Sequence, residues 1–577
     1  MFAALIIENY TTLFFNEISM KPIANFRVFL LSSFCFLFFG AVAYGQTPNC
    51  YRITFSDKND SPFSISRPEE FLSERAIAKR ERFSIPIIEQ DLPVNPQYID
   101  LITNFFTVPT QIISISKWNN SVVIFFFENE NYQDIIDEMV DNFSFIESVI
   151  PVAAYSWSNK IEISIHEQFS QAIVCNSSCD YNYGMSLDNI NIHRGHSLHK
   201  AGFCGEDMLI CVFDAGWNGF NTLSCFQSLY NNGQIWGERD LAPGVNNVYT
   251  GHGHGTAVTS EMATEIDGQM VGTAPKANYF FIRSEYPWSE QLVEEDFWAQ
   301  AAELADSLGA DVATASLGYT NFDFPWQNIY TIEDNNGMAS IASRAASILT
   351  QKGVIVVNSA GNEGNKSWHY IGRPADAFNI LAVGAVNKDG EVALFSSYGP
   401  TSDERVKPDV ASVGWNAWVV AENGYIVQTN GTSMAAPIIA GLSACLWQAL
   451  PQFSSLELMD LIRKYSDQYN NPNDRTGYGI PNFYQCYLDH YIGVRENKVP
   501  EFSVFPNPTT GQLVVSSEYR VVSIEIIDIY GRNLLSHTPL TSQSQTLINI
   551  SHLTAGVYFL KIYSNRSFEV IKVVKKS

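Results

Sequence analysis

Apolar positions along the chain follow three successive rhythms. In the first, Tyr51-Arg52-Ile53-Thr54-Phe55 alternates as a strand does, and Ser121-Val122-Val123-Ile124-Phe125-Phe126-Phe127 forms a strong apolar strand. Between them, Pro68-Glu69-Glu70-Phe71-Leu72-Ser73-Glu74-Arg75-Ala76 opens a helix of mixed charge. After them, Ile135, Ile136, Met139 and Val140 share one helical face, and an apolar run over 146–152 closes a small α+β unit. From about 181 to 490 the pattern becomes alternating β and α. The run 208–213 is almost unbroken, as expected of a strand buried on both faces of a parallel sheet. Strands are predicted at 311–315 and 354–357, and helices over 289–308, 339–351 and from near Ile438. The third rhythm is one of short alternating strands at 513–515, 524–527 and 557–562. Turn signals at Asn507-Pro508 and Tyr530-Gly531-Arg532 divide them, which predicts a small β-sandwich over 502–577.

Two further segments change this picture. Lys21 and Arg27 precede an apolar run over 28–42 that ends in the small residues Ala41, Ala43 and Gly45. This is the order of a signal peptide, 1–45, cut near Gly45/Gln46. A membrane anchor is the alternative, but the run is shorter than the roughly 20 residues a span needs. Residues 156–180 read as a connector where a processing cut is tolerated, and 493–499 as a polar linker.

The 577 residues are too many for one domain, and a formal charge of -25 argues against a nucleic-acid partner. Of nine cysteines, Cys35 leaves with the signal. Cys175, Cys179, Cys204 and Cys225 lie in loop-like surroundings suited to pairing, whereas Cys211 and Cys445 fall inside apolar runs as core residues.

Four short stretches carry candidate chemistry. Asp214 ends the 208–213 run, where ligand-binding and catalytic groups of open α/β sheets gather, although a lone Asp there is also an ordinary turn former. Gly251-His252-Gly253-His254-Gly255-Thr256 has glycines that suit a crowded backbone, and His254 begins the helical stretch. No ligand pattern accompanies the histidines, so no metal site is assigned. Asn362 sits in the Gly-rich turn Ser359-Ala360-Gly361-Asn362-Glu363-Gly364, where Asn can equally be only a turn residue. Ser433, in Asn430-Gly431-Thr432-Ser433-Met434-Ala435-Ala436-Pro437, stands at the mouth of a helix. There a serine is either an N-cap or a group placed beside free N–H donors.

Together, and in the order Asp, His, Ser, these four stretches resemble the subtilisin-like serine peptidases over about 185–490. Phe395-Ser396-Ser397-Tyr398-Gly399-Pro400 and Lys407-Pro408-Asp409-Val410 are similar to later landmarks of that family. The resemblance implies an α/β, three-layer catalytic domain with a mostly parallel sheet over 181–490. It implies a serine endopeptidase acting on protein or peptide substrates, with Asp214, His254 and Ser433 catalytic and Asn362 in the oxyanion hole. Ser316, Leu317 and Gly318 would pair with substrate, His252 would be loop structure, and Trp217 would reshape the cleft edge. It also makes residues 46–158 an inhibitory propeptide. No cofactor is implied beyond a structural calcium that no loop places. The alternative is a catalytically silent subtilisin-fold protein that binds or adheres.

Phe505-Pro506-Asn507-Pro508-Thr509-Thr510-Gly511, Ala555-Gly556-Val557-Tyr558 and the basic end Lys572-Val573-Val574-Lys575-Lys576 resemble the C-terminal sorting domain of type IX secretion substrates. That resemblance implies the type IX machinery as a partner. It implies a protein secreted from, or held on the outer-membrane surface of, a gram-negative bacterium.

Overall fold

The computed structural model describes residues 47–128, 130–155, 165–167, 179–243, 247–491, 502–517, 521–528, 532–537, 545–564 and 568–576. The predicted signal peptide, most of the 156–180 connector with Cys175, the 493–499 linker and Tyr530-Gly531 lie outside them. The chain divides into two compact units, Met1–Asp489 and His490–Ser577. Among the described residues no helix is long and apolar enough to cross a membrane.

The first unit begins with an antiparallel sheet of β1 (Cys50–Phe55), β2 (Thr110–Ser116), β3 (Ser121–Phe126) and β4 (Ile146–Ala153), in the order β2-β3-β1-β4. Helices α1 (Glu74–Arg82), α2 (Pro96–Phe105) and α3 (Gln133–Asn142) accompany it. Pro68 opens only a 3₁₀ turn, and the α-helix proper starts after Ser73, whose hydroxyl accepts the Ala76 N–H. Every residue of β3 is buried. Its alternation explains why: Val122, Ile124 and Phe126 join a core with α2 and α3, while Val123 and Phe125 face the much larger core beyond.

That larger core belongs to an eight-stranded sheet. Its members are β5 (Ile165–Glu167), β6 (Leu209–Asp214), β7 (Ile235–Asp240), β8 (Asn278–Arg283), β9 (Val312–Ala315), β10 (Ile355–Ser359), β11 (Leu381–Val386) and β12 (Val410–Val413). Their order is β12-β11-β10-β9-β6-β8-β7-β5. All pairs are parallel except β5 with β7, so the predicted connector adds an antiparallel edge strand. Helices α4 (His254–Ala263), α5 (Glu294–Leu308), α6 (Ile341–Gln351) and α7 (Thr432–Ala449) complete the three layers. A hairpin of β13 (Ala417–Val420) and β14 (Ile426–Thr429) leads into α7.

Period-two alternation sets which layer each side chain meets. Leu209, Cys211 and Phe213 of β6 pack with α5 and α6, so Asp214 shares the opposite face with Ile210 and Val212. The chain fills β7 and β8 on one side of β6 and then returns to β9 on the other. The carboxyl end of β6 therefore lies at the switch point where such sheets form a crevice.

The second unit holds a three-stranded sheet, β15 (Phe502–Phe505), β16 (Gln512–Ser517) and β19 (Gln545–Asn549). Its four-stranded sheet comprises β17 (Val521–Ile527), β18 (Asn533–His537), β20 (Gly556–Ser564) and β21 (Phe568–Lys575). All their pairings are antiparallel. Leu513, Val515, Ile524, Ile526, Ile548, Leu560 and Ile562 fill the core between them.

Candidate active site

Asp214 is fully buried at the end of β6, and both of its carboxylate oxygens lie 2.9 Å from His254 Nδ1. His254 is the first residue of α4, and its side chain remains 27% exposed. A close helix–turn approach creates this pair. Gly255 N–H donates to Gly216 O at 2.9 Å, and a β-carbon on Gly255 would stand 2.7 Å from that oxygen. Gly216 itself has φ +146°, which strains any side chain. His252 is exposed, and its Nδ1 accepts the His254 backbone N–H at 3.1 Å, tying down the first turn of α4. Burial lowers the His254 imidazole, but the charge and hydrogen bond of Asp214 outweigh it and hold the group above its ordinary value.

Ser433 lies in the first turn of α7, five residues earlier than the predicted apolar run begins. Pro437 removes the N–H that would bond to the Ser433 carbonyl one turn earlier. Ser316 Oγ fills that vacancy, donating to Ser433 O at 2.7 Å, while Ser433 Oγ donates to Ser316 O at 3.2 Å. The helix mouth is thus stitched to the residue that follows β9. In this state the Ser433 hydroxyl is directed to Ser316 rather than to His254.

Asn362 follows β10 and faces the same helix end. Its Oδ1 accepts from Thr432 N–H at 2.9 Å and from the Thr432 hydroxyl at 3.1 Å, which leaves Nδ2 as its presented donor. Gly431, with φ +155°, is the N-cap. A β-carbon there would lie 3.6 Å from Ser433 N and 3.9 Å from Asn362 Nδ2, so glycine keeps open the space between two N–H donors. Leu317 is half-buried and Gly318 exposed, and the chain is then pinned by reciprocal Tyr319–Arg373 backbone bonds of 2.7 and 3.0 Å.

Trp217 corrects one expectation. It is fully buried, stacks on Phe281 at 4.8 Å and donates from Nε1 to Thr259 at 2.8 Å, so it belongs to the core and not to the cleft edge. Sequence reasoning missed Glu285, Glu290 and Glu294, whose carboxylate oxygens lie within 4.8 Å of one another. Burial holds Glu285 and Glu294 well above the carboxylate range and pushes Glu290 to about 7. Glu285 accepts the Tyr319 hydroxyl at 2.5 Å. No sequence spacing announces this group, because a loop folds it together. Cys179 pairs with Cys204, whereas Cys225 is free.

Asp214 ends β6, Ser316 follows the neighbouring β9 and bonds Ser433, and Asn362 follows β10, so the candidate residues gather past the carboxyl ends of adjacent strands. Residues 205–479 match the subtilase family model. These residues form a subtilase domain, the domain of serine-type endopeptidases. Residues 50–172 match the peptidase S8 propeptide domain of Bacteroidota, and residues 503–576 match a secretion-system C-terminal sorting domain. Among curated proteins, M-protease of Shouchella clausii (strain KSM-K16) is 27% identical over 289 residues, covering 50% of this chain and 64% of that protein. Subtilisin BL of Lederbergia lenta is 26% identical over 278 residues, covering 48% and 90%. Among solved structures, prenylagaramide maturation protease PagA aligns with a TM-score of 0.41 at 20% identity, covering 52% of this chain and 98% of its own.

Proposed function

We propose that the chain is the precursor of an exported serine endopeptidase. His254, oriented by Asp214, takes the Ser433 proton as the hydroxyl attacks a peptide carbonyl. The acyl carbonyl oxygen becomes an anion between Ser433 N–H and Asn362 Nδ2, the gap that Gly431 keeps clear. His254 then returns its proton to the leaving amine, and a water repeats the cycle to free the enzyme. Just past the end of β9, Ser316-Leu317-Gly318 would pair with the substrate backbone, with exposure rising from buried Ser316 to exposed Gly318. For attack, the Ser433 hydroxyl must rotate away from Ser316 O towards His254.

The observation that carries this reading is the Asp214–His254 pair at the end of β6, together with Ser433 N and Asn362 Nδ2, which both border Gly431 at the start of α7. The test is fluorophosphonate labelling of the secreted, processed protein beside Ser433→Ala. Labelling lost in the variant is expected. A folded, processed chain that resists the probe would refute the activity and leave the silent binding protein as the reading.

The sheet β1–β4 is the inhibitory propeptide in this reading. Its last strand is held against the start of α5: Val293 N–H donates to Val152 O at 3.1 Å, and Ala154 N–H donates to Gln291 at 2.8 Å. The 502–577 unit would address the protein to type IX export, and so to the medium or the outer-membrane surface of a gram-negative cell.

A further inference from the structure

The C-terminal end of α5 is capped by residues of the N-terminal α+β segment that holds β1–β4 (the N-terminal unit). A helix leaves its last carbonyls without partners and carries partial negative charge at that end. Here Ser73 N–H donates to Ser307 O at 2.9 Å. Lys79 Nζ lies 3.0 Å from Gly309 O and 3.1 Å from Asp311 Oδ1, and also contacts Ala310 O. Arg75 donates to Gly309 O and Asp207 O, each at 3.0 Å, and pairs with Asp311 Oδ2. A single ammonium is therefore held by two carbonyl oxygens and a carboxylate, with a guanidinium beside it.

These oxygens are fixed by the subtilase domain itself. Gly309, at φ +75°, donates its N–H to Asp306 O, and Ala310 donates to Ala305 O, so the helix cap sets both carbonyl directions. Leu209 N–H donates to Asp311 Oδ2 at 2.9 Å, anchoring the carboxylate to β6. Burial would raise the Asp311 carboxyl, yet Lys79 and Arg75 hold it below its ordinary range. The two carbonyls and one carboxylate oxygen are thus held from within the subtilase domain, whichever cation fills the cradle.

We infer that Gly309 O, Ala310 O and the Asp311 carboxylate form a cation site of the subtilase domain, filled by Lys79 in the precursor and by calcium once the N-terminal unit leaves. The donors are all oxygen, which suits a hard cation and not zinc or copper. One carboxylate and two carbonyls, completed by water, place the affinity in the weak class of extracellular calcium modules, about 10⁻⁴–10⁻³ M. Calcium and Lys79 compete for the same oxygens, so calcium favours the released form. Occupation during maturation rests on the propeptide reading, but cation binding does not, so the two can fail separately.

Two tryptophans make the site visible. Trp447 lies with its ring centroid 5.6 Å from Lys79 Nζ, and Trp236 with its own 5.6 Å from the Arg75 guanidinium. The test uses the full chain carrying Ser433→Ala to prevent cutting and Arg75→Ala to clear the guanidinium from Gly309 O and Asp311, with and without Lys79→Ala, titrated with terbium under tryptophan excitation. The Lys79→Ala chain is expected to gain one saturable luminescent step that calcium reverses. Adding Asp311→Asn should weaken that step at least about tenfold. Equal titrations of parent and Lys79→Ala, or a step untouched by Asp311→Asn, would overturn the site. Should Lys79→Ala fail to fold, release of the cut propeptide from the unaltered protein decides instead. Release at least about twofold faster in calcium than in sodium chloride of equal ionic strength supports the site, and equal rates refute it.

Discussion

Replacing Asn362 separates catalysis from stability because its two side-chain ends do different things. Oδ1 caps α7 through Thr432 N–H and the Thr432 hydroxyl, at 2.9 and 3.1 Å, while Nδ2 faces the gap over Ser433. Asn362→Ala removes both. Loss of the donor should lower kcat by about 10²–10³, or about 2.7–4 kcal/mol of transition-state stabilisation. Loss of the acceptor should cost about 1 kcal/mol of stability, since a cap is typically worth that much. Asn362→Asp keeps the acceptor and sets a negative charge at the α7 N-terminus, worth about 0.3–1 kcal/mol of stabilisation. It also puts a carboxylate where the oxyanion must form, so its kcat should fall below that of Asn362→Ala. The assay is kcat and KM on a peptide anilide with processed protein, beside thermal unfolding of each variant in a Ser433→Ala background. The expected order is wild type, Ala, Asp in rate, and Ala lowest in stability. If Asn362→Asp kept more than about a tenth of the wild-type kcat, the oxyanion assignment would fail. If rate tracked stability across the three proteins, Asn362 would be a helix cap and nothing more.

Gly431→Ala should lower kcat by at least about 10² on the same anilide, because its methyl enters the gap between Ser433 N and Asn362 Nδ2; unchanged kcat would mean the gap is not used. Arg80 is 2% exposed and bridges Asp91 and Asp306, so Arg80→Met leaves each buried carboxylate with a single cation, Lys352 for Asp91 and Lys117 for Asp306. It should reduce the urea stability of the Ser433→Ala chain by about 1.5–3 kcal/mol, the worth of charged hydrogen bonds lost while a cation remains, and a loss under about 0.5 kcal/mol would show the cluster to be solvated. His193 and His199 are fully buried, and burial lowers both to about 4. Below the ordinary histidine value of about 6.5 the unfolded chain takes up protons that the native state refuses. Stability should therefore fall with pH between about 6.5 and 4, by up to about 3 kcal/mol per histidine. Urea midpoints across that window should show a shallower slope for His193→Gln, and an unchanged slope would remove His193 from the account.

Each part of the candidate site was legible because it sits where a local pattern changes. Asp214 ends an unbroken apolar run, and His254 begins a helix behind glycines that only close packing explains. Ser433 stands between a strand and a long apolar helix. What sequence pattern could not carry was packing between distant segments. Trp217 follows a strand-end turn and looks like a cleft residue, but Phe281 and Thr259 close around it from β8 and α4. Glu285, Glu290 and Glu294 lie on one loop and the start of α5, with no spacing that distinguishes them from solvated charges. The helix start was displaced because apolar periodicity begins at Ile438, whereas the first turn holds small residues chosen for chemistry. β3 did contain a legible sign of docking. A strand of a small antiparallel sheet has no reason to be apolar on both faces unless something covers each of them, and its second face joins the large core to which α5 belongs.

The charges on α5 follow from the same double requirement. Asp296, Glu303 and Asp306 are nearly buried under the N-terminal unit, where Arg52, Lys117 and Arg80 meet them, and Ser116 and two backbone N–H groups close on Glu303. An apolar surface would hold the unit at least as firmly, since buried ion pairs seldom outperform well-packed hydrophobic contacts. It would, however, leave a sticky face on the subtilase domain after release. Acidic groups are tolerated both as paired interior and as open surface. The burden of covering them falls on the basic residues of the segment that departs. On the propeptide reading, the interface gives up stability in the precursor for solubility of the product. Removing one cation from the N-terminal unit should accordingly loosen the precursor far more than it alters the released domain.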